Sequence, residues 1–462
     1  MDGSKAIQAL GGALPLWSII PFAGMLLSIA LMPLFAPRFW HEYFGKVSAF
    51  WAAASIVSLT LIFGQRAATG FLEILVNEYL PFIILMGSLY VISGGILITG
   101  SSSGTPGSNA IMLLAGTLLA SLMGTTGAAM LLVRPLIKAN AQRENRALVM
   151  VFFIFLAANI GGALSPLGPP LVLGYLSGVP FFWTLRLLPH MLLAAGYLLA
   201  VYFWTDTFFQ RKEKCLLSLP PMEKQKPKTK LKSPLKVRGT QNMIFLLGAI
   251  GALVLGARMN LGQVSFLGVH RGVGEIVRDA IVLMMAVSSM YFTPERIRDE
   301  NGFTWLPLKE VALIFAGVFI TMAPCLDILQ AGAGGRLGFL VHAVRSPGHY
   351  FWATGMLSSF LDNAPAYLAF FKAALGSFYP GMGGPPAAGL LMRQHPAYLE
   401  AVSAGAVFFG AFTYIGNAPN FIVRSISEES GIKMPGFIGY MIKYSVPVLL
   451  PLFLLEAFIF FR

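Results

Sequence analysis

The stretch SSFLDNAPAYLAFF, residues 358–371, sets an acid, an amide and a proline inside an apolar run. An ionised carboxylate at the centre of a membrane helix costs roughly 2.5–3.5 kcal/mol on insertion scales, so an acid at that depth needs a partner or a task. Asn and Pro also interrupt a straight helix and are good at starting a new one. The stretch therefore reads as a broken, re-entrant element whose tip, Asp362 and Asn363, binds the ion that moves. A plainer reading makes Asn363 the cap of the helix begun by Ala364-Pro365. The two are compatible, because a helix begun in mid-membrane is itself an ion site.

The surroundings support a membrane depth. The chain has 462 residues, 56% hydrophobic and 11% charged, against about 25% charged in soluble domains. Long apolar runs recur from PLWSIIPFAGMLLSIALMPLF (15–35) to YSVPVLLPLFLLEAFIFF (444–461). This is the pattern of an all-α polytopic membrane protein, with the lipid bilayer as its solvent. The first run lacks a basic leader and a small-residue cleavage site, so it reads as a span and not a signal peptide. The net charge of +13 clusters in loops, where it sets topology and meets anionic lipid; no nucleic-acid partner is implied. Cys215 and Cys325 cannot build a disulfide framework. The six histidines show no HExxH spacing, and AGAGGRLG (331–338) has no following Lys-Ser or Lys-Thr. No metal centre, ATP-driven pump or other cofactor is expected. An intramembrane enzyme would need a second acid near Asp362, and no paired acid motif is present, so the chain does not read as an enzyme.

Two halves flank a basic linker. Residues 1–208 form an N-terminal transmembrane repeat and 241–462 a C-terminal one. The segment 209–240 carries ten Lys or Arg, two Glu and four prolines, which reads as a mobile cytoplasmic linker. Each half has three apolar runs, two broken ones and a last span. The breaks are MGTTGAA (123–129) and NIGGALSPLGPP (159–170), then LDNAPA (361–366) and YIGNAPN (414–420). Gly161 to Pro180 and Gly416 to Pro435 are both nineteen residues, so an internal repeat is expected. Loop charge does not decide whether 110–133 and 350–371 are hairpins or full spans. Their mid-run tips, Gly124 to Gly127 and Asp362 to Pro365, favour hairpins. Each repeat then has about five transmembrane helices, one re-entrant hairpin and a broken helix, and the odd number of spans inverts the repeats. On this orientation both termini and the second hairpin face outside.

Broken helices leave backbone groups unpaired in hydrocarbon, at several kcal/mol each unless something fills the gap. Thr125 and Thr126 offer hydroxyls, Asn159, Ser165, Asn417 and Asn420 amide or hydroxyl oxygens, and Asp362 a charge. Hard oxygens suit Na⁺, a proton-linked site or Mg²⁺, with Asp362 and Asn363 as the Na⁺ ligands. Close helix packing alone would also explain Gly, Ser and Thr at such places. Among the other acids, Glu456 and Arg186 lie in the last span of each half and read equally as a structural pairing or a gate, while Glu310 reads as a span start beside Lys309. Asp362 alone lies in the middle of a broken apolar run, which makes it the proton-coupling candidate, with Glu456 and Glu400 next in line.

At these residues the chain resembles the ion transporter superfamily, and within it the group of sodium/proton antiporters or citrate-type transporters. The resemblance is sharpest in GTTGAAMLLVRPLIKAN (124–140), LSPLGPPLVLGYLSGVPFFWT (164–184), NGFTWLPLKEVALIFAGVFITMAP (301–324) and SSFLDNAPAYLAFF (358–371). It implies two inverted repeats, an elevator-like motion and a homodimer. Carried over, the tips are Thr125-Thr126 and Asp362-Asn363, and the unwound segments centre on Asn159–Pro166 and Gly416–Asn420. Dicarboxylate carriers of the superfamily look for Ser-Asn-Thr at both tips, which neither tip has here. The LDN tip resembles D-type sodium/proton antiporters instead. The expected function is thus a secondary active transporter, an Na⁺/H⁺ antiporter working by alternating access in a bacterial inner (cell) membrane. The alternative is an Na⁺- or H⁺-coupled symporter of citrate or another carboxylate.

Overall fold

The computed structural model describes residues 14–99, 104–217, 236–256, 259, 261–266, 268–331, 336–338 and 343–462. The chain is an all-α polytopic membrane protein: eight described helices are long and apolar enough to cross a bilayer. The first half runs through α1 (Ile20–Phe35), α2 (Pro37–Phe63), α3 (Gln65–Ile74) and α4 (Leu80–Gly94). A π-helical turn, Leu75–Tyr79, joins α3 to α4, so the third span begins at Gln65, not near residue 79 as the apolar run suggested. Next come α5 (Pro106–Ala139), the broken pair α6 (Arg146–Leu156) and α7 (Pro169–Leu176), and α8 (Leu188–Leu217). The second half repeats the order with α9 (Gln241–Gly256), α10 (Val273–Phe292), the short α11 (Glu295–Glu300) and α12 (Leu306–Gln330). Then follow α13 (Pro347–Phe360), α14 (Asn363–Phe378), α15 (Gly384–Gln394), the broken pair α16 (Pro396–Phe409) and α17 (Ala418–Glu429), and finally α18 (Phe437–Tyr440) with α19 (Leu450–Phe460).

Both central elements are hairpins. Asn109 and Asn140 exchange amide hydrogen bonds at 2.7 and 2.9 Å; thirty-one residues of straight helix would hold them about 46 Å apart. Leu132 likewise reaches the surface of Gly116. In the second hairpin, α13 and α14, Tyr350 Oη lies 3.1 Å from Ser377 Oγ, which closes the open end of its two arms. The two hairpins are entered by the same device. Thr105 and Ser346 each precede a proline, and each hydroxyl accepts from the backbone N–H three residues on, at 3.3 Å. Proline at the first helical position loses nothing there, and the cap satisfies one of the orphan donors.

Packing repeats across the halves: α2 lies on α12 as α10 lies on α4, and α14 lies on α7 as α5 lies on α17. Two short ribbons lie outside the helices. β1 (Leu97–Thr99) pairs antiparallel with β2 (Lys236–Arg238), and β3 (Gln263–Phe266) with β4 (Val269–Gly272). These details correct the linker bounds. Its first residues continue α8 as far as Leu217, and its last ones form β2, because a three-residue ladder to β1 satisfies their backbone; residues 218–235 lie outside the described residues.

Candidate functional site

Each hairpin tip meets the unwound part of a broken helix. In the first hairpin the turn is made by one residue, Gly124, with φ 78° and ψ 159°. A Cβ there would stand 2.8 Å from the Leu167 carbonyl oxygen, so both the torsion and the space demand glycine. Thr125 and Thr126 then open the second arm, and Thr125 Cγ2 packs against Gly162 of the first break. In the second hairpin Leu361 and Asp362 are extended, and Asp362 Oδ1 accepts from Ala364 N at 3.2 Å. The cap is therefore Asp362 and not Asn363, because Asp362 holds the non-helical φ/ψ while Asn363 is already helical. That leaves the Asn363 amide free to face the second break, where it packs on Gly410.

The two breaks are tied to one another by asparagines. Asn159 Nδ2 donates to Ile154 O at 2.8 Å and to Asn420 Oδ1 at 2.7 Å. Asn417 Nδ2 donates to Ala158 O at 2.8 Å and to Asn159 Oδ1 at 3.1 Å. Asn420 Nδ2 takes up two carbonyls of the second break, Gly410 O at 2.7 Å and Thr413 O at 2.9 Å. Side chains thus replace the lost helical bonds, as a dry environment requires. Sequence reasoning passed over three contributors. Thr413 Oγ1 accepts from the N–H groups of Ile415 and Gly416 and donates to Ser359 O, which fastens the break to the first arm of the second hairpin. Ser121 Oγ covers Gly161 O at 2.6 Å. Gly410 is in contact with both Asn159 and Asn363, and a side chain there would part them. A threonine just before YIGNAPN was the only available signal, and one hydroxyl among apolar residues is weak.

The eight predicted site residues fall into one connected region with three roles. Asn159 and Asn420 have their amide groups engaged in the ties just described. Thr125 Oγ1, Ser165 Oγ, Asn363 Oδ1 and Asn417 Oδ1 are buried and have no hydrogen-bond partner. Thr126 and Asp362, one at each tip, are the two that are not fully buried. Four orphaned oxygens along two breaks and two tips cost about 1–3 kcal/mol each unless something binds them. They are hard donors, and no Arg or Lys belongs to the set.

Residues 11–461 match the model of a family described as "Putative citrate transport". The chain belongs to that family. No curated protein matches the chain. Membership in a citrate-transport family makes this an integral membrane transport protein. Elsewhere, three further ion pairs join charged residues in or beside the spans. Arg186 Nε meets Glu400 at 2.6 Å, and His190 Nδ1 meets Glu456 at 3.1 Å in a buried contact between the last spans of the two halves. Arg143 holds Asp206 in a bidentate pair at 2.8 Å.

Proposed function

We propose that the protein is a secondary active transporter exchanging Na⁺ for H⁺ by alternating access, with Asp362 as the residue that holds either ion. The observation that carries this reading is the set of four buried, unpartnered oxygens contributed by both halves, with one carboxylate at the second tip. Thr125, Ser165, Asn363 and Asn417 would supply neutral ligands to a dehydrated Na⁺, and Asp362 the neutralising charge. Asp362 makes no ion pair among the described residues, so its charge is available to a mobile cation. Two inverted repeats, 1–208 and 241–462, would exchange the side to which this region opens. The test uses proteoliposomes in a pH gradient: added Na⁺ or Li⁺ should dissipate the gradient, and choline should not.

A second reading is supported by the family description: Na⁺- or H⁺-coupled symport of citrate. Carboxylate oxygens would then sit at the helix starts after Gly124 and Asp362. Labelled citrate uptake driven by an Na⁺ gradient, without Na⁺-dependent proton efflux, would favour it. The resident membrane is expected to be a bacterial cell membrane and the assembly a homodimer.

A further inference from the structure

A second, larger polar space lies away from the tips. A cavity of about 170 Å³ is lined by Glu73, Asn77 and Glu78 of the third span, Asp327 of α12, Lys372 of α14, and His270 of β4. In sequence Asp362 is the one acid in the middle of a broken apolar run, because Glu78 and Asp327 sit at the ends of theirs. The folded helices extend past those ends, so both acids belong to spans.

The charges here are kept apart. Among the described residues no carboxylate of the three lies within ion-pair distance of Lys372, whose Nζ donates instead to Gln330 Oε1 at 3.2 Å. Glu78 and Asp327 nonetheless both lie within electrostatic range of Lys372. Asn77 Oδ1, in the same wall, is buried without a partner. Three carboxyl groups line the space against one ammonium. In a span such an excess of acids calls for water, protons or a cation. No three of the acids and histidines converge closely enough to chelate a metal among the described residues. The space therefore suits a hydrated ion.

We propose that this cavity is a vestibule for a small hydrated cation of the Na⁺ class, in which the Lys372 ammonium is a tethered competitor. The proposal rests on the cation reading of the tip site. Lys372 follows Asn363 by nine residues on one helix, about 14 Å along its axis. Any movement of the second hairpin therefore moves Lys372 within the cavity, and a cation gathered there is one helix segment from the tip.

The experiment is ²³Na NMR relaxation on the purified full-length protein, with choline keeping ionic strength constant, in an Asp362→Asn background that removes the tip charge. That background should keep a weak class of Na⁺ sites. Adding Lys372→Met should tighten it roughly tenfold, the effect of removing one like charge across a partly aqueous space. Lys372→Arg should leave the affinity as it was, and the double change Glu78→Gln/Asp327→Asn should abolish the sites while the protein still elutes as one folded species. No Na⁺ relaxation enhancement in Asp362→Asn, or an affinity unmoved by Lys372→Met, overturns the vestibule. The two readings fail separately. Normal Na⁺/H⁺ exchange by Asp362→Asn removes the proposed coupling residue and leaves the cavity result standing.

Discussion

The two hairpins share an entry cap, a length and a position against a broken helix, yet they differ in how they turn and in what lies beside them. The first turns on the torsion of Gly124 alone, and the cavity at its tip, about 40 Å³, is walled by Met86, Leu89, Leu167, Leu308 and Ile422 with Thr126 as one polar edge. The second turns on an extended Leu361-Asp362 pair with a carboxylate cap, and the cavity beside its second arm holds four ionisable side chains besides His270. Duplicated architecture has thus been given unequal chemistry. At the tips, the first half supplies geometry and neutral oxygens, and the second adds the charge.

Exchanging the chemistry at one tip and leaving the other intact is the sharpest way to break this comparison. Asp362→Asn keeps a capping oxygen, since Asn caps about as well as Asp, and removes the only charge at either tip. The folded mutant should lose cation-dependent proton movement in proteoliposomes at every pH; wild-type rates would show the halves to be chemically equal after all. The corresponding change at the other tip, Thr126→Val, should slow exchange by no more than a few-fold in the same assay.

A change at the first turn should act on folding and not on chemistry. Gly124→Ala forces a Cβ to 2.8 Å from Leu167 O at φ 78°, a strain of about 1–3 kcal/mol. Its midpoint of thermal unfolding in detergent should fall, whereas Leu361→Ala, in ordinary extended backbone, should not lower it for that reason. Asn159→Leu strands the Asn420 oxygen and the Ile154 carbonyl. We expect a loss of about 1–3 kcal/mol from leaving such groups unsatisfied, seen as a lower unfolding midpoint together with weaker Na⁺ protection against it.

The smallest effect should come from the neutral ligands. Asn363→Ala removes one oxygen and no charge, so apparent Na⁺ affinity should weaken several-fold while exchange persists at high Na⁺. An Asn363→Ala protein with wild-type Na⁺ dependence would remove this residue from the ligand set. The hairpin geometry can be checked separately. In a protein lacking Cys215 and Cys325, Asn109→Cys and Asn140→Cys should be joined by a short bifunctional thiol reagent, which a straight helix would forbid.

Much of this was legible in the linear chain. Apolar runs of span length report burial in lipid directly, and a Gly, Asn, Asp or Pro inside such a run reports a break because each has a local backbone cause. Hence the membrane class, the breaks in four apolar runs and the expectation of two hairpins could be read without a fold. What the chain order could not carry was anything that depends on two distant segments meeting. Only the tertiary structure showed that Asp362 caps while Asn363 stays free, since that turns on one φ/ψ pair. Only it showed that Asn159 and Asn420 are tied together across 261 residues while Asn417 and Ser165 keep an oxygen to give. And only it placed Glu78, Asp327 and Lys372 around one cavity. Each sits near a run's end or alone on a helix face, where a charge in sequence reads as solvated, and it is the packing of three helices that decides which water it shares.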